Sequence, residues 1–309
     1  MQTILGAGGG IGKDLARDLR QYTPQVRLVS RTPQKVNETD ELVAADLTKK
    51  EDVDRAVAGS DIAYLTVGLP YRTTVWQRNW VPLMRNVIEA CRRHDTKLVF
   101  FDNVYMYAPS AIPHMTEKAP IGPASEKGQV RKEVAGLLLE AVDKGEIRAL
   151  IARSADFYGP GVENSVIVET VFKPFAEGRK ANWMGKADKV HSFTYTPDAA
   201  RATAMLGNTE NAYGQVWHLP TRPDPPTGEE WIEAIAREMG VEPRYREVGA
   251  FMLKLMGLFV PEMREMPEML YQNTQDYIFD SSKFDKHFGF TPTAYEQGIK
   301  EVVAAMEKS

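Results

Sequence analysis

Residues 2–12 read "QTILGAGGGIG". Gln2 to Leu5 form a short apolar run with the character of a strand, and a glycine-rich turn follows at once. "GKDLARDLRQY", from Gly12 to Tyr22, then sets Leu15, Leu19 and Tyr22 on one helical face. Gly6, Gly9 and Gly12 carry the spacing GxxGxxG. Glycines so placed let the backbone turn tightly, approach a pyrophosphate and pack the helix against the strand. The helix N-terminus then offers free N–H groups and the positive end of its dipole to phosphate oxygens, with Gly10 and Ile11 in its first turn. A glycine-rich turn alone is a weak signal, because a tightly packed loop also needs glycine. Its position between a strand and a helix strengthens it.

The alternation continues outward from this stretch. "QVRLVS" reads as a second strand and "DVDRAVAGS" as a short helix ending at Gly59. "DIAYLTVG" is a strand, "WVPLMRNVIEACRRH" a long helix and "TKLVFFD" a further strand. Strands and helices taking turns predict an α/β fold, a parallel sheet covered by helices on both faces. Neither an internal repeat nor a low-complexity segment interrupts it.

Composition bounds the function. The chain has 309 residues, 43% of them hydrophobic, enough for a large core in one domain or two unequal ones. The formal charge is −4 and the basic residues are scattered, so nucleic acid is not the expected partner. Cys91 is the only cysteine, which excludes an internal disulfide, and no zinc pattern is present. No apolar run is long enough to span a membrane, and the early glycine turn leaves no room for a signal peptide. The expectation is a cytoplasmic protein.

The second strand ends in "VSRTP". A site that prefers NAD usually has Asp or Glu here, accepting from the ribose hydroxyls. This chain has Ser30, Arg31 and Thr32 instead. A guanidinium suits a 2′-phosphate, and the two hydroxyls can assist, so NADP is the expected cofactor with NAD as the alternative. Asp46 and Leu47 stand where an adenine edge would lie. Val67 and Gly68, at the end of "DIAYLTVG", complete the candidate cofactor contacts.

With these residues in view, the chain resembles the extended short-chain dehydrogenase/reductase superfamily, and within it the NAD-dependent epimerase/dehydratase family. "GAGGGIG" is similar to that family's glycine motif and "ADL" to its adenine-contacting Asp-Leu. "IARSADFYGPG", "HSFTYTPDAARA" and "DSSKFDKHFGFTPT" resemble its later motifs, in the right order. The resemblance covers nearly the whole chain. It implies a Rossmann-type dinucleotide lobe over 1–160, to which 190–220 returns, and a smaller substrate lobe over 161–309. It also implies a homodimer built on the helices at Trp80–Arg93 and Ser125–Val142, with Leu83, Val87, Leu137 and Leu138 available to it or to the sheet.

Members of the family that catalyse use a tyrosine, a lysine four residues later, and a serine or threonine after the preceding strand. "ASEKGQVRK", Ala124 to Lys132, departs from that pattern: Lys127 falls at the tyrosine position and Arg131 at the lysine position. After "KLVFF" comes "DNVYMYA", which sets Asn103 at the Ser/Thr position if Tyr107-Ala108 matches the family's Tyr-Gly, and Phe101 if Val104-Tyr105 does. The first alignment keeps a polar group at the site. Trp80 stands where the family commonly has Asn, with Asn79 one residue off. Two functional readings follow. In an altered enzyme, Lys127 moves a proton, helped toward its neutral form by Arg131 and an oxidised nicotinamide, while Tyr105 or Tyr107 is a second candidate. In a sensor like the NmrA-like regulators, Lys127 and Arg131 only bind cofactor. A solvated basic pair is the bland alternative. Asp156, matching the family's substrate-side Asn or Asp, favours the enzyme, acting on a sugar nucleotide or a small carbonyl or hydroxyl compound.

In the later half, Asn164, Trp183 and His191 are candidates for a substrate pocket, though a histidine there is more often packed than catalytic. Arg179 and Lys180 suit an anion but read first as surface charges. Met252, Met256, Met263, Met266 and Met269 fit the apolar faces of two helices broken near Pro261 and Pro267. They read as ordinary core, or as a soft lid.

Overall fold

The computed structural model describes residues 1–162, 165–257 and 261–308. In chain order the early elements are β1 (Gln2–Leu5), α1 (Gly10–Asp18), β2 (Val26–Ser30), β3 (Glu41–Ala44), α2 (Lys50–Val57), β4 (Ile62–Leu65), α3 (Thr73–Arg93), β5 (Lys97–Asp102), α4 (Glu126–Asp143) and β6 (Ala149–Arg153). Next come β7 (Asp156–Tyr158), α5 (Lys173–Ala176), β8 (Ala181–Met184), β9 (Phe193–Tyr195), α6 (Thr196–Gly207) and β10 (Val216–His218). The last are α7 (Gly228–Met239), β11 (Tyr245–Val248), α8 (Ala250–Met256), α9 (Ser282–Phe288) and α10 (Tyr295–Met306).

The chain folds into two compact units. The first comprises 1–106, 127–154 and 199–219, and the second 107–126, 155–198 and 220–309.

The first unit holds a seven-stranded sheet in the order β10-β6-β5-β4-β1-β2-β3. Every pair in it is parallel. This is the doubly wound Rossmann-type α/β fold, in which the strand order reverses direction between β1 and β4. The strands are apolar along their whole length because helices cover both faces: β1, β4 and β6 are buried at every position. β3 differs. Glu41, Leu42 and Ala44 are exposed because it is the edge strand, so no apolar run announces it in the sequence. Leu15 and Leu19 are fully buried, as the helical pattern predicts, whereas Tyr22 lies beyond the helix and is 43% exposed. α3 begins at Thr73, seven residues before the predicted start at Trp80, and it carries Pro82 inside. Leu83, Val87 and Leu138 are fully buried in the unit's own core, which leaves them unavailable to a dimer contact. Cys91 is buried there too, and burial pushes its thiol up to about 12, so it is an inert apolar filler.

Asp18, near the end of α1, is pushed up to about 6 by burial and then by Asp14, with Arg201 and Arg17 opposing. A carboxyl raised in the fold binds protons more tightly folded than unfolded. Its contribution to stability therefore falls as pH rises from about 4 to about 6 and stays lowered above that. Asp18→Asn should raise the melting temperature at pH 7.5 and leave it unchanged near pH 4, a gain under about 1 kcal/mol because the group is partly solvated. Thermal melts of both proteins across that range check it, and an equal shift at both ends would contradict it.

The second unit has two small parallel pairs, β11-β8 and β7-β9. Its core gathers Tyr158, Phe193, Tyr195, Trp231 and Tyr295, with Trp231 and Tyr295 rings 4.6 Å apart. α7 is set by a capping box between Thr227 and Glu230 and stops at Gly240 in the left-handed region. The methionine-rich segment forms one helix, α8, followed by short 3₁₀ turns that start at Pro261 and Pro267, in place of two helices. Proline suits a first helical position, and so it starts these turns where the periodicity suggested a break. Met252, Met263 and Met266 pack partly buried against Val248, Leu253 and Leu270. No helix among the described residues is long and apolar enough to cross a membrane.

Candidate functional site

The first unit carries the glycine turn. Gly6 sits at φ +104°, and an added Cβ would lie 2.4 Å from the Val67 backbone. An added Cβ at Gly12 would lie 2.8 Å from the Ala7 backbone. These two glycines are needed to let β1, the end of β4 and α1 meet. Gly9, by contrast, is exposed and has open space beside it. It caps α1 without a side chain, so no side-chain cap competes for the first-turn N–H groups of Gly10, Ile11 and Gly12. Gly6 and Ala7 donate backbone hydrogen bonds to Val29, which ties the turn to the end of β2.

At that strand end, Ser30 presents a buried hydroxyl with no partner among the described residues, close to Gly8. A buried unpaired hydroxyl is costly, and a bound group that completes its hydrogen bond removes the cost. Arg31 and Thr32 are exposed beside it, and Arg31 forms no ion pair among the described residues. Asp46 accepts from the backbone N–H and hydroxyl of Thr48, at 3.0 and 2.7 Å, which holds its carboxyl below the usual range. Leu47 is buried, Val67 half-buried and Gly68 exposed. The turn thus gathers first-turn N–H groups of α1, an unpartnered hydroxyl and an exposed guanidinium at the ends of β1 and β2.

The departures from pattern form one packed network in the same unit. Asp102, the last residue of β5, is completely buried. Arg131 donates to its Oδ1 through Nε at 2.8 Å and also through Nη2. Arg153, the last residue of β6 and the register partner of Asp102, donates from Nε to Oδ2 at 3.2 Å. The Arg131 guanidinium lies 4.4 Å from the Trp80 ring and 4.8 Å from the Phe100 ring. Trp80 and Arg131 thus support each other, and the arginine is a buried structural cation.

Lys127 is likewise completely buried. Its Nζ donates to Thr73 Oγ1 at 2.8 Å and lies 4.6 Å from the centre of the Tyr71 ring. Tyr71 Oη is 3.5 Å from Tyr105 Oη, and the Tyr105 ring stacks on Trp76 at 6.1 Å. Tyr105 is half-buried, on the loop that leaves the carboxyl end of β5. Asn103 accepts the Tyr105 backbone N–H at 3.1 Å through its Oδ1 and so fixes that loop. Asn79 donates back to the Val75 carbonyl at 2.9 Å, within α3.

The second unit holds the other candidates. Tyr107 is fully buried. Trp183 is 4% exposed and donates to the Lys186 carbonyl at 3.2 Å. His191 is 2% exposed, stacks on Tyr277 at 4.2 Å, and sets Nε2 2.9 Å from Asp156 Oδ2. Asp156 also donates its N–H to Tyr277 Oη at 3.2 Å. Its side chain is 22% exposed, so the carboxylate is oriented yet reachable. Asn164 lies outside the described residues. Among the described residues no group of histidines, cysteines and carboxylates could hold a metal ion.

Sequence reading missed Asp102 and Arg153 as partners of Arg131. The available signal was a charged residue closing each of two apolar strands, "KLVFFD" and "ALIAR".

Comparison with known proteins adds to this geometry. The profile of the NAD dependent epimerase/dehydratase family matches residues 3–218. No curated protein sequence matches the chain significantly. Among solved structures, a UDP-glucuronic acid 4-epimerase from Bacillus cereus, in complex with UDP-glucuronic acid and NAD, is 17% identical with a TM-score of 0.83, covering 100% of this chain and 99% of that one. A UDP-glucose 4-epimerase from Thermus thermophilus, in complex with NAD, is 18% identical with a TM-score of 0.78, covering 100% of both chains. A dTDP-glucose 4,6-dehydratase double mutant from Streptomyces venezuelae, with NAD bound, is 16% identical with a TM-score of 0.79, covering 100% of this chain and 97% of that one. At such identities these likenesses establish the fold.

Proposed function

The chain belongs to the NAD-dependent epimerase/dehydratase family, and on that premise we propose that it is an NADP(H)-dependent oxidoreductase or epimerase/dehydratase-like enzyme whose proton carrier is Tyr105. The observation that carries the cofactor part is the unpartnered, buried Ser30 hydroxyl beside the glycine turn, next to an exposed, unpaired Arg31. The first-turn N–H groups of α1 would hold the diphosphate, and Arg31 with Thr32 the 2′-phosphate. Asp46, Leu47, Val67 and Gly68 would line the remaining contacts. NADP(H), when bound, supplies or accepts a hydride.

Relative exposure supports giving the proton to Tyr105. A group that exchanges a proton with substrate must touch it. Lys127 is completely buried whereas Tyr105 is half-buried at the carboxyl end of β5, the end of a parallel strand where ligands of such sheets bind. Lys127 then acts from behind, its Nζ bonded to Thr73 and set over the Tyr71 ring, and holds the Tyr71–Tyr105 pair in place. Asn103 fixes the loop and Arg131 holds α4 to β5. Asp156 remains the substrate-side residue of this reading, whereas Tyr107 is as buried as Lys127 and serves the packing, and a sugar nucleotide or a small carbonyl or hydroxyl compound is its substrate. A homodimer through α3 and α4 would have to use their outer residues, and the protein is read as cytoplasmic.

One observation favours a second reading. Lys127 is buried and Arg131 is held by Asp102, so the two α4 positions that carry the chemistry in catalytic relatives are packed here, which suits a protein that senses the cofactor without turning it over.

Calorimetry with NADPH and NADH tests the cofactor claim. NADPH should bind more tightly, and Arg31→Ala should weaken it by about 1.5–3 kcal/mol while leaving NADH unchanged. Equal affinities in the native protein would refute the preference.

A further inference from the structure

Tyr71 stands in the first unit, on the loop that leaves the carboxyl end of β4 and leads into α3. β4 and β5 are parallel neighbours in the sheet, so this loop lies beside the loop that carries Tyr105. Neither the cofactor contacts nor the substrate-side residues include Tyr71, yet its surroundings are specific. Its ring meets Trp76 edge-on at 5.8 Å and Tyr105 edge-on at 6.5 Å. The Lys127 Nζ sits 4.6 Å from its centre. Like Tyr105, it is half-buried against the core of the unit.

Phenylalanine would serve these ring contacts equally well. The hydroxyl has a separate use: Tyr71 Oη donates to Tyr105 Oη at 3.5 Å. The direction of this bond matters. Its proton belongs to Tyr71, so the proton of Tyr105 is not spent on it. When Tyr105 protonates a substrate oxygen, its O–H bond breaks, an O–H bond forms on the substrate, and the electron pair stays on Tyr105 Oη. The Tyr71 O–H already points at the oxygen that gains this charge. A donor so placed stabilises the charge without turning at the moment of reaction. A separation of 3.5 Å is long for two neutral hydroxyls, and a charged acceptor draws its donor closer. The neighbours keep the donor in place, since Lys127 over the ring is itself bonded at 2.8 Å to Thr73, the first residue of α3.

We infer that Tyr71 is a positioning residue of the reaction. It holds Tyr105 through their hydroxyls and supports the negative oxygen that Tyr105 becomes. The inference rests on the reading that Tyr105 carries the proton.

Tyr71→Phe in the full chain tests it. The change removes the hydroxyl and keeps the ring with its contacts to Trp76 and Lys127, so circular dichroism should show the native fold. With whichever sugar nucleotide, aldehyde or ketone the native protein turns over, kcat should fall roughly tenfold or more at little change in KM, the scale of one hydrogen bond to a charged oxygen. In protein that already carries Tyr105→Phe, adding Tyr71→Phe should cost nothing more, whereas damage to the fold would lower both backgrounds alike. Tyr22→Phe, at an exposed tyrosine beyond α1, should leave turnover unchanged. Native turnover in Tyr71→Phe beside an impaired Tyr105→Phe overturns the inference and leaves the reading standing. Native turnover in Tyr105→Phe overturns the reading, and the inference with it. A second measurement needs no substrate: nuclear magnetic resonance of the protein with tyrosine isotope-labelled at Cζ. The Tyr105 resonance, identified by its loss in Tyr105→Phe, should move in Tyr71→Phe and stay in place in Tyr22→Phe. A Tyr105 resonance that Tyr71→Phe leaves unmoved overturns the inference.

Discussion

Asp102→Ala should destabilise the protein by about 3–5 kcal/mol, a large share of the roughly 5–15 kcal/mol typical of a folded domain. The carboxylate is completely buried and holds both Arg131 and Arg153. Removing it leaves two guanidinium groups inside the fold without the charge that brought them there. The Coulombic gain of such a pair barely exceeds the cost of taking its members out of water, but an unmatched buried charge is far worse. The pairing of β5 with β6 should loosen as well, because Asp102 and Arg153 are register partners. Denaturant unfolding of Asp102→Ala, Arg131→Met and the double variant gives the coupling directly. The double variant should recover part of the loss, since an apolar side chain among Trp76, Trp80 and Phe100 suits that environment. A change under about 1 kcal/mol in Asp102→Ala would show that the network is not structural.

Tyr105→Phe should lower kcat by about 10²–10⁴-fold, the range of a lost general acid or base. The ring stack on Trp76 needs no hydroxyl, so the variant should fold as the native protein does. Lys127→Met should act differently. Its Nζ touches Thr73 and the Tyr71 ring and no solvent, so losing it should lower kcat less than Tyr105→Phe does. The reverse ranking, with Lys127→Met inactive and Tyr105→Phe unchanged, would return the proton to the lysine.

The sheet was legible because its strands are short, apolar and separated by helical patterns, and "GAGGGIG" fixed where β1 gives way to α1. β3 was not legible, because an exposed edge strand alternates too weakly to be seen. The early start of α3 was hidden for a related reason: Thr73 to Asn79 carry mixed polar residues, and the helix is recognised only where Leu83 and Val87 face the core. At the candidate site, sequence spacing placed Lys127 and Arg131 on one helix but not what they touch. Arg131 meets Asp102, 29 residues away, and Arg153 completes the group from the next strand. Such partners follow from sheet register, which local periodicity does not contain. Burial of Lys127 was hidden in the same way, since a lysine on a helix reads as solvated until the aromatic residues around it are known.

The central claim is that this family member binds NADP(H) in its first unit and still performs chemistry with it. The most direct measurement follows the loss of reduced-nicotinamide absorbance when the native protein, with NADPH bound, is given sugar nucleotides, aldehydes and ketones in turn. The account predicts, with at least one of these classes, substrate-dependent oxidation of NADPH or, with NADP⁺ bound, an epimerised or dehydrated product, and loss of that turnover in Tyr105→Phe. NADPH that stays reduced with every class, together with no epimerised or dehydrated product when NADP⁺ is bound, would contradict the account and leave a cofactor-sensing protein in its place.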